Sequence, residues 1–290
     1  PLLKTSIVGL HIEGPFISRE EGPRGAHDIQ FVRNPDFDLF RKWQEAAEGT
    51  IKYITLAPEL DGAIEFIEKA VASGVKAAIG HTAASPEQIR AAIKAGATLS
   101  THLGNGSHTM LPRLRNYLWE QLAADELASS IICDGDHLPP AVVRVFLRTK
   151  GLERLILVSD VALLGGYPPG IYRWGNLDVQ VYNDGHLGIP GTTILAGAAH
   201  LLDCDIAKFI EFTGHSLAET IRLCTSNPSR YLDLNEAPEN FLKEGEMANF
   251  CMFYHRAEQK RLQILRTQLG KHKSYIEGHI SDAAGRSSIR

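Results

Sequence analysis

Through its first 160 residues the chain alternates two hydrophobic patterns. One is a short run, apolar on both faces and rich in Val, Ile and Thr: LLKTSIVGLHIE, TIKYITLAP, VKAAIGH, ATLSTHL, SSIICDG and RLILVSD. Such runs predict parallel strands covered by helices. The other spaces its apolar positions along one helical face: DFDLFRKWQEAAEG, GAIEFIEKAVASG, SPEQIRAAIKAG and PPAVVRVFLRTKG. In the third of these, Ser85 is placed as the N-cap, Pro86 falls at the first helical position and Gly96 lies just past the end. The second and fourth stop at Gly74 and Gly151. The alternation predicts about six βα units and an α/β fold, a (β/α)8 TIM-type barrel. Because that barrel needs eight strands, about two N-terminal strands are expected to be missing from this chain.

After Asp160 the texture changes. GIYRWGNLDVQVYNDGHLGIPGT alternates β-formers around Asn183-Asp184-Gly185, a hairpin signal, and predicts a β-insert over about 171–191. Two helices should follow, LAGAAHLLDCDIAKFIEFTG and SLAETIRLCTSNPSRYL, the second stopped near Pro228. GEMANFCMFYH then predicts another strand, after a turn at Gly245. On this reading residues 1–240 form the barrel and 241–256 carry the extra strand. Residues 257–290 are a polar, basic tail whose last stretch lacks periodicity and reads as disordered.

Composition narrows the class. At 290 residues the chain is long enough to bury a full core, and 44% hydrophobic with 22% charged residues is ordinary for a soluble globular protein. A net charge of −4, from 30 basic and 34 acidic residues, gives no electrostatic case for a nucleic-acid partner. No apolar run approaches the roughly 20 residues that span a bilayer, so no membrane partner is expected. PLLKTSIVGL lacks the layout of a signal peptide, and the scattered Cys133, Cys204, Cys224 and Cys251 read as the reduced thiols of a cytoplasmic protein.

Chemistry gathers where the strands should end. Glu13 closes GLHIE, His81 follows AAIG, His102 follows TLST and Asp160 follows LILVS. Taken singly, each has a structural explanation: a paired acid, a hydrogen-bonded core histidine, a capping aspartate. Taken together they occupy one topological position on four strands, and stability gives a barrel no reason to repeat charge there. A barrel converges such ends on one face. One carboxylate and two imidazoles suit a divalent metal, and an aspartate beside them suits a general base.

The motifs GLHIEGPF, GHTAAS, THLGNG, DGDHLPP, LVSDVALLGG, LAGAA and TSNPSRYL, in this order from about residue 7 to about residue 255, resemble the N-acetylglucosamine-6-phosphate deacetylases of the amidohydrolase superfamily. The resemblance implies one divalent metal ion held by Glu13, His81 and His102, zinc first, with iron, manganese or cobalt as alternatives. It makes Asp160 the proton shuttle and His27 the group that polarises the acetyl carbonyl. Its phosphosugar contacts fall on Ala26, Asn105, Gly106, Arg113, Asp134, Gly135, Asp136, His137, Leu195, Ala196 and Gly197. The implied substrate is a small N-acetyl amino sugar phosphate, and the implied assembly is a homodimer in which the arginine acts across the subunit boundary. The strand in 241–256 would be the remnant of a small β-sandwich that flanks the barrel in relatives. An HxH-like pair, carried by the first barrel strand in this superfamily, is not found here.

This chain also departs from the family pattern. THLGNGSHTMLPRLR leaves Arg113 and Arg115 as alternative phosphate ligands, and Ala198 removes a hydroxyl from the familiar LSGS. Asp136 sets a carboxylate beside His137, which repels a phosphate unless compensated. His108, His186 and His200 acquire no role. Two other readings remain open: an N-acyl amino acid or other amide hydrolase on the same scaffold, and a catalytically inactive incomplete barrel.

Overall fold

The computed structural model describes residues 6–192, 194–234, 244–245, 247–256, 259–270 and 272–275. Six strands, β1 (Leu10–Glu13), β2 (Ile51–Leu56), β3 (Lys76–Ile79), β4 (Ala97–Ser100), β5 (Ala128–Ile131) and β6 (Leu155–Leu157), form one curled parallel sheet in sequential order. The side-chain period of two divides the strands between layers. Ile54, Leu56, Ala77 and Ile79 point outward into a core shared with Phe40, Phe66, Ile67 and Ile89 of the covering helices. Leu155 and Leu157 do the same against Val143, Phe146 and Phe209. The inward positions are smaller or polar, with His11, Glu13 and Thr55 reaching inside the curl, where buried Ala78 also packs against Leu99 and Ile156.

The helices follow their local signals. α1 (Phe37–Ala46) is capped by Asp36, which accepts from the Leu39 N–H at 2.9 Å. α2 spans Ala63–Ala72. α3 (Pro86–Ala95) has the predicted Ser85 cap, a reciprocal bond from Gln88, and Gly96 in the left-handed region at φ +111°. α4 (Tyr117–Ala123) was not anticipated from the sequence; Asn116 caps it. α5 (Pro140–Lys150) ends at Gly151, as expected.

Several boundaries differ from the sequence reading. The first strand begins only at Leu10, while residues 2–5 of the expected strand lie outside the described residues. Leu195–Leu201 is not helical; α6 runs Leu202–Thr213. Pro228 does not stop a helix. α7 (Leu217–Cys224) has already ended, and Pro228 sits in the first turn of α8 (Ser226–Tyr231), where a missing N–H costs nothing.

Two small antiparallel sheets complete the architecture. β7 (Gly170–Trp174), β8 (Leu177–Val181) and β9 (Leu187–Gly188) form the insert, with the turn predicted at Asn183-Asp184-Gly185 and a second tight turn at Gly175-Asn176. β10 (Asn249–Tyr254) pairs with β11 (Gln263–Leu269), which pairs with β12 (His272–Tyr275). The last two correct the expectation of a disordered tail: QILRTQL is a strand whose pairing, not its periodicity, identifies it. Residues 276–290, including SDAAGRSSIR, lie outside the described residues.

Candidate metal centre and substrate cleft

Glu13, His81, His102 and Asp160 all stand at or just beyond the C-terminal ends of their strands, the end of an α/β barrel where ligands are held. Among the described residues only five non-glycine positions have positive φ, and His81 (51°), His102 (28°) and Asp160 (47°) are three of them. That conformation is costly for a residue with a Cβ and recurs at functional sites.

The donors converge. His81 Nε2 lies 2.9 Å from Glu13 Oε1, His102 Nε2 lies 3.3 Å from Glu13 Oε2, and the two Nε2 atoms are 3.0 Å apart. His27 Nε2 joins at 3.3 Å from Glu13 Oε1, so Glu13, His27 and His81 also satisfy the spacing of a metal-holding group. Glu13 thus faces three imidazoles, one more than resemblance implies. Ligands bound at about 2.0–2.2 Å to one ion sit roughly 3–3.5 Å from each other, the spacing found here.

The protonation of His81 fits a cation beside it. His81 Nδ1 is 2.8 Å from the Pro23 carbonyl, which can only accept, so Nδ1 carries the ring proton of the neutral imidazole. Its Nε2 lone pair then faces a carboxylate oxygen and a second imidazole nitrogen. Burial lowers the His81 pKa against the pull of Glu13, favouring that neutral form. Burial opposes the charge on Glu13 as well, yet its imidazole neighbours, His102 foremost, hold its carboxyl well below the usual range. A lone pair facing a carboxylate is repulsive unless something positive lies between them, and a divalent ion supplies it.

Asp160 is solvent-accessible but recessed among the strand ends. Burial and then the Glu13 charge raise its pKa, with His102, His137 and His27 pulling the other way. The segment Leu195–Gly197 runs alongside, since Ala198 bridges in parallel to Val161 and its carbonyl accepts from the Ala162 N–H at 2.8 Å. Leu195 itself bridges to Gly188 of the insert, and the Ala196 N–H donates to Leu187.

The loop after β5 is internally tied. Asp134 Oδ1 accepts from the N–H groups of Asp136 (2.9 Å) and His137 (3.0 Å), and Oδ2 lies 2.8 Å from His137 Nδ1. Asp136 is compensated: His200 Nε2 lies 3.3 Å from its Oδ2, and that contact raises the His200 pKa. His200, left without a role by the sequence, therefore answers the electrostatic objection to Asp136. His186 pairs with Asp184 at the insert turn. Asn105 Nδ2 is buried without a protein partner, and Gly106 (φ +54°) lies where a Cβ would come within 2.7 Å of the His81 ring. Ala26 stands next to His27 in the loop that follows β1.

The two candidate arginines separate cleanly. Arg115 is bound to Glu87 at 2.7 Å on the outer face. Arg113 is exposed, and its guanidinium makes no hydrogen bond or ion pair with the described residues.

Sequence reasoning missed a supporting layer. His11, two residues before Glu13 on the same inward face, bonds Thr55 Oγ1 at 2.8 Å, and Thr55 continues to Thr101 at 2.6 Å. Burial lowers the His11 pKa to about 4. Glu59 accepts from Thr82 Oγ1 (2.6 Å) and the Ala83 N–H (2.7 Å), fixing the turn after His81. The i, i+2 spacing of His11 and Glu13 signalled the first; nothing in the sequence signalled the second.

A curled parallel sheet with a carboxylate and histidines gathered at the strand ends is the arrangement of the metal-dependent amidohydrolase class. Comparison with known proteins narrows the class. The chain is 33% identical over 233 residues to the N-acetylglucosamine-6-phosphate deacetylase of Bacillus subtilis (strain 168), covering 80% of this chain and 58% of the relative. It is 32% identical to that of Homo sapiens, covering 85% of this chain and 61% of the relative. The crystal structure of N-acetyl-D-glucosamine-6-phosphate deacetylase from Mycobacterium smegmatis superposes with a TM-score of 0.81 at 32% identity, covering 92% of this chain and 69% of that one. An aspartate-to-alanine mutant of the same enzyme, in complex with N-acetyl-D-glucosamine-6-phosphate, matches equally well, with a TM-score of 0.81. No family model matches the chain. The chain belongs to the N-acetylglucosamine-6-phosphate deacetylase family. It spans about three-fifths of the length of the curated relatives it matches. Among the described residues no helix is long and apolar enough to cross a membrane.

Proposed function

We propose that this chain carries the catalytic face of a deacetylase that hydrolyses the N-acetyl group of N-acetylglucosamine 6-phosphate, giving acetate and the amino sugar phosphate. The observation that carries the reading is the convergence of Glu13, His81 and His102 from three strands within 2.9–3.3 Å. Those three residues would hold one divalent ion, zinc before iron, manganese or cobalt. Once bound, such an ion supplies Lewis-acid polarisation and a water acidified toward neutral pH.

The rest of the chemistry belongs to the chain's own groups. Asp160 removes the proton of the attacking water and delivers it to the departing amine; its raised pKa suits a group that must both take and return a proton. His27 donates from Nε2 to the oxyanion that develops on the acetyl oxygen, leaving its 3.3 Å contact with Glu13. His137, with Nδ1 held by Asp134, presents Nε2 to the sugar phosphate, while His200 offsets the Asp136 charge. The glycine-containing backbone at Asn105–Gly106 and Leu195–Gly197 allows close approach of the substrate, and the unpartnered Asn105 amide is a donor ready for it. Ala26, Gly135 and Asp136 complete the contacts expected from the family. Arg113 reaches the phosphate of a neighbouring subunit in a homodimer.

Acetate release from N-acetylglucosamine 6-phosphate and from the unphosphorylated sugar, measured with metal content per chain, tests this reading. The expected result is about one ion per chain and a clear preference for the phosphorylated sugar. Purified protein with no stoichiometric metal and no acetate release overturns it.

A further inference from the structure

The ring of His81 is enclosed by two loops from different parts of the chain. From the loop after β1, Pro23 accepts its Nδ1 proton at 2.8 Å, and a Cβ on Gly25 would lie 3.2 Å from its Cε1. From the loop after β4, Gly106 backs against the same ring, where a Cβ would stand 2.7 Å from Nδ1. The two loops also touch each other, because a Cβ on Gly22 would meet the His108 backbone at 3.0 Å.

One side-chain relay joins them. Buried Tyr117 accepts the His108 backbone N–H on its phenol oxygen at 2.9 Å. That leaves its O–H to donate to His108 Nδ1 at 3.1 Å. Nε2 of His108 then carries the ring proton and donates to Glu20 Oε2 at 2.9 Å. Every donor meets an acceptor with a neutral imidazole, so the relay needs no protonated histidine. Tyr117 opens α4, which makes the anchor rigid, while Glu20 lies in the loop that delivers Pro23, Gly25 and His27.

We propose that Glu20, His108 and Tyr117 are positioning residues: a neutral hydrogen-bonded latch that closes the Glu20–His27 loop over the Asn105–His108 loop and so fixes the His81 ring for metal and His27 for the acetyl group. The latch rests on the metal-centre reading for its consequence but not for its existence. The His81–Pro23 bond depends on the same closure, so opening the latch frees the ring to turn.

The test combines two readouts on the full chain. Hydrogen exchange by mass spectrometry, on metal-free protein, follows residues 18–28 and 104–109 together. Chelator-driven release of zinc, on loaded protein, follows the consequence at His81. An exposed pair of this kind contributes enough for about a two- to fivefold change in opening. Glu20→Ala is therefore expected to speed exchange in both segments, and zinc release, by about that factor. Tyr117→Phe, which removes both ends of the anchor, is expected to do more. Glu20→Gln keeps an acceptor oxygen and should restore wild-type behaviour, which a charge-based ion pair would not allow. Unchanged exchange in Glu20→Ala overturns the latch, and so does a Glu20→Gln variant as loose as Glu20→Ala. Faster exchange with unaltered zinc release overturns its positioning role. Failure of the wild-type chain to take up zinc sinks the metal-centre reading instead, with the exchange result still judging the latch.

Discussion

Placing His81, His102 and Asp160 in the left-handed region costs on the order of 1–3 kcal/mol each, a cost that stability alone does not justify. The turn at each strand end swings the side chain back over the mouth of the sheet. Metal retention should therefore depend on His81 and His102 far more than folding does. His102→Ala and Glu13→Gln are expected to lose stoichiometric zinc, measured by elemental analysis, while keeping the wild-type far-ultraviolet spectrum. Asp160→Asn should retain its metal, because the proposed ligands are elsewhere, and lose turnover by roughly 10²–10⁴-fold. Unchanged acetate release in that variant removes Asp160 from the proton path. At this scale the sequence was informative where a polar residue interrupts an apolar strand, as at Glu13, His81, His102 and Asp160. It was silent where the partner is a backbone group: no pattern marks the Pro23 carbonyl, and His108 gains meaning only once Glu20 and Tyr117 are brought beside it.

Elements are held in register by buried polar groups that the hydrophobic pattern hides. Asp205, on α6, accepts the Cys133 N–H at 2.7 Å and so pins the end of β5 just before Asp134. Burial pushes its pKa to about 8 from an ordinary value of 3.8. Between those values the folded chain binds a proton that the unfolded chain has released. Stability from this group therefore falls as pH rises from about 4 to about 8, at up to about 1.4 kcal/mol per pH unit, and levels off above. Asp205→Asn keeps the acceptor and cannot titrate, so urea unfolding at pH 5 and pH 8 should show a smaller slope than wild type. An equal slope would assign the effect to other groups. Lys150, at the end of α5, donates to the carbonyls of Gln121, Ala124 and Leu127 at 2.6, 2.7 and 3.1 Å. Burial lowers its pKa to about 8, which leaves the ammonium charged at neutral pH. Lys150→Met strands those carbonyls and is expected to cost about 3 kcal/mol in the same unfolding assay. The long amphipathic helices were legible because caps and period agreed, as at Ser85, Pro86 and Gly96. α4 was not, because seven residues give too short a period to read. Pro228 misled because a proline that ends one helix and a proline that opens the next look alike in sequence.

At the scale of the whole molecule, the parallel sheet was foreseeable from strand–helix alternation, whereas β11 and β12 were hidden because strand pairing, not an apolar period, identifies them. The proposed dimer is decided by the loop between Gly106 and Asn116. Arg115 is spent on Glu87, but the exposed Arg113 guanidinium has no hydrogen bond or ion pair among the described residues, and it lies between Met110 at 87% and Leu114 at 77% exposure. Apolar side chains flanking an unpaired arginine suit a surface that meets another subunit. If Arg113 completes the phosphate site of a second copy, Arg113→Ala should raise KM for N-acetylglucosamine 6-phosphate and leave the unphosphorylated sugar unaffected. The sharper test mixes this variant with Asp160→Asn after reversible dissociation. A mixed dimer then contains one site with Asp160 from the first chain and Arg113 from the second, both intact. Activity on the phosphorylated sugar should rise above the average of the two parents. Simple averaging would mean that each chain binds its phosphate alone, and Arg113 would then have to fold inward to reach it.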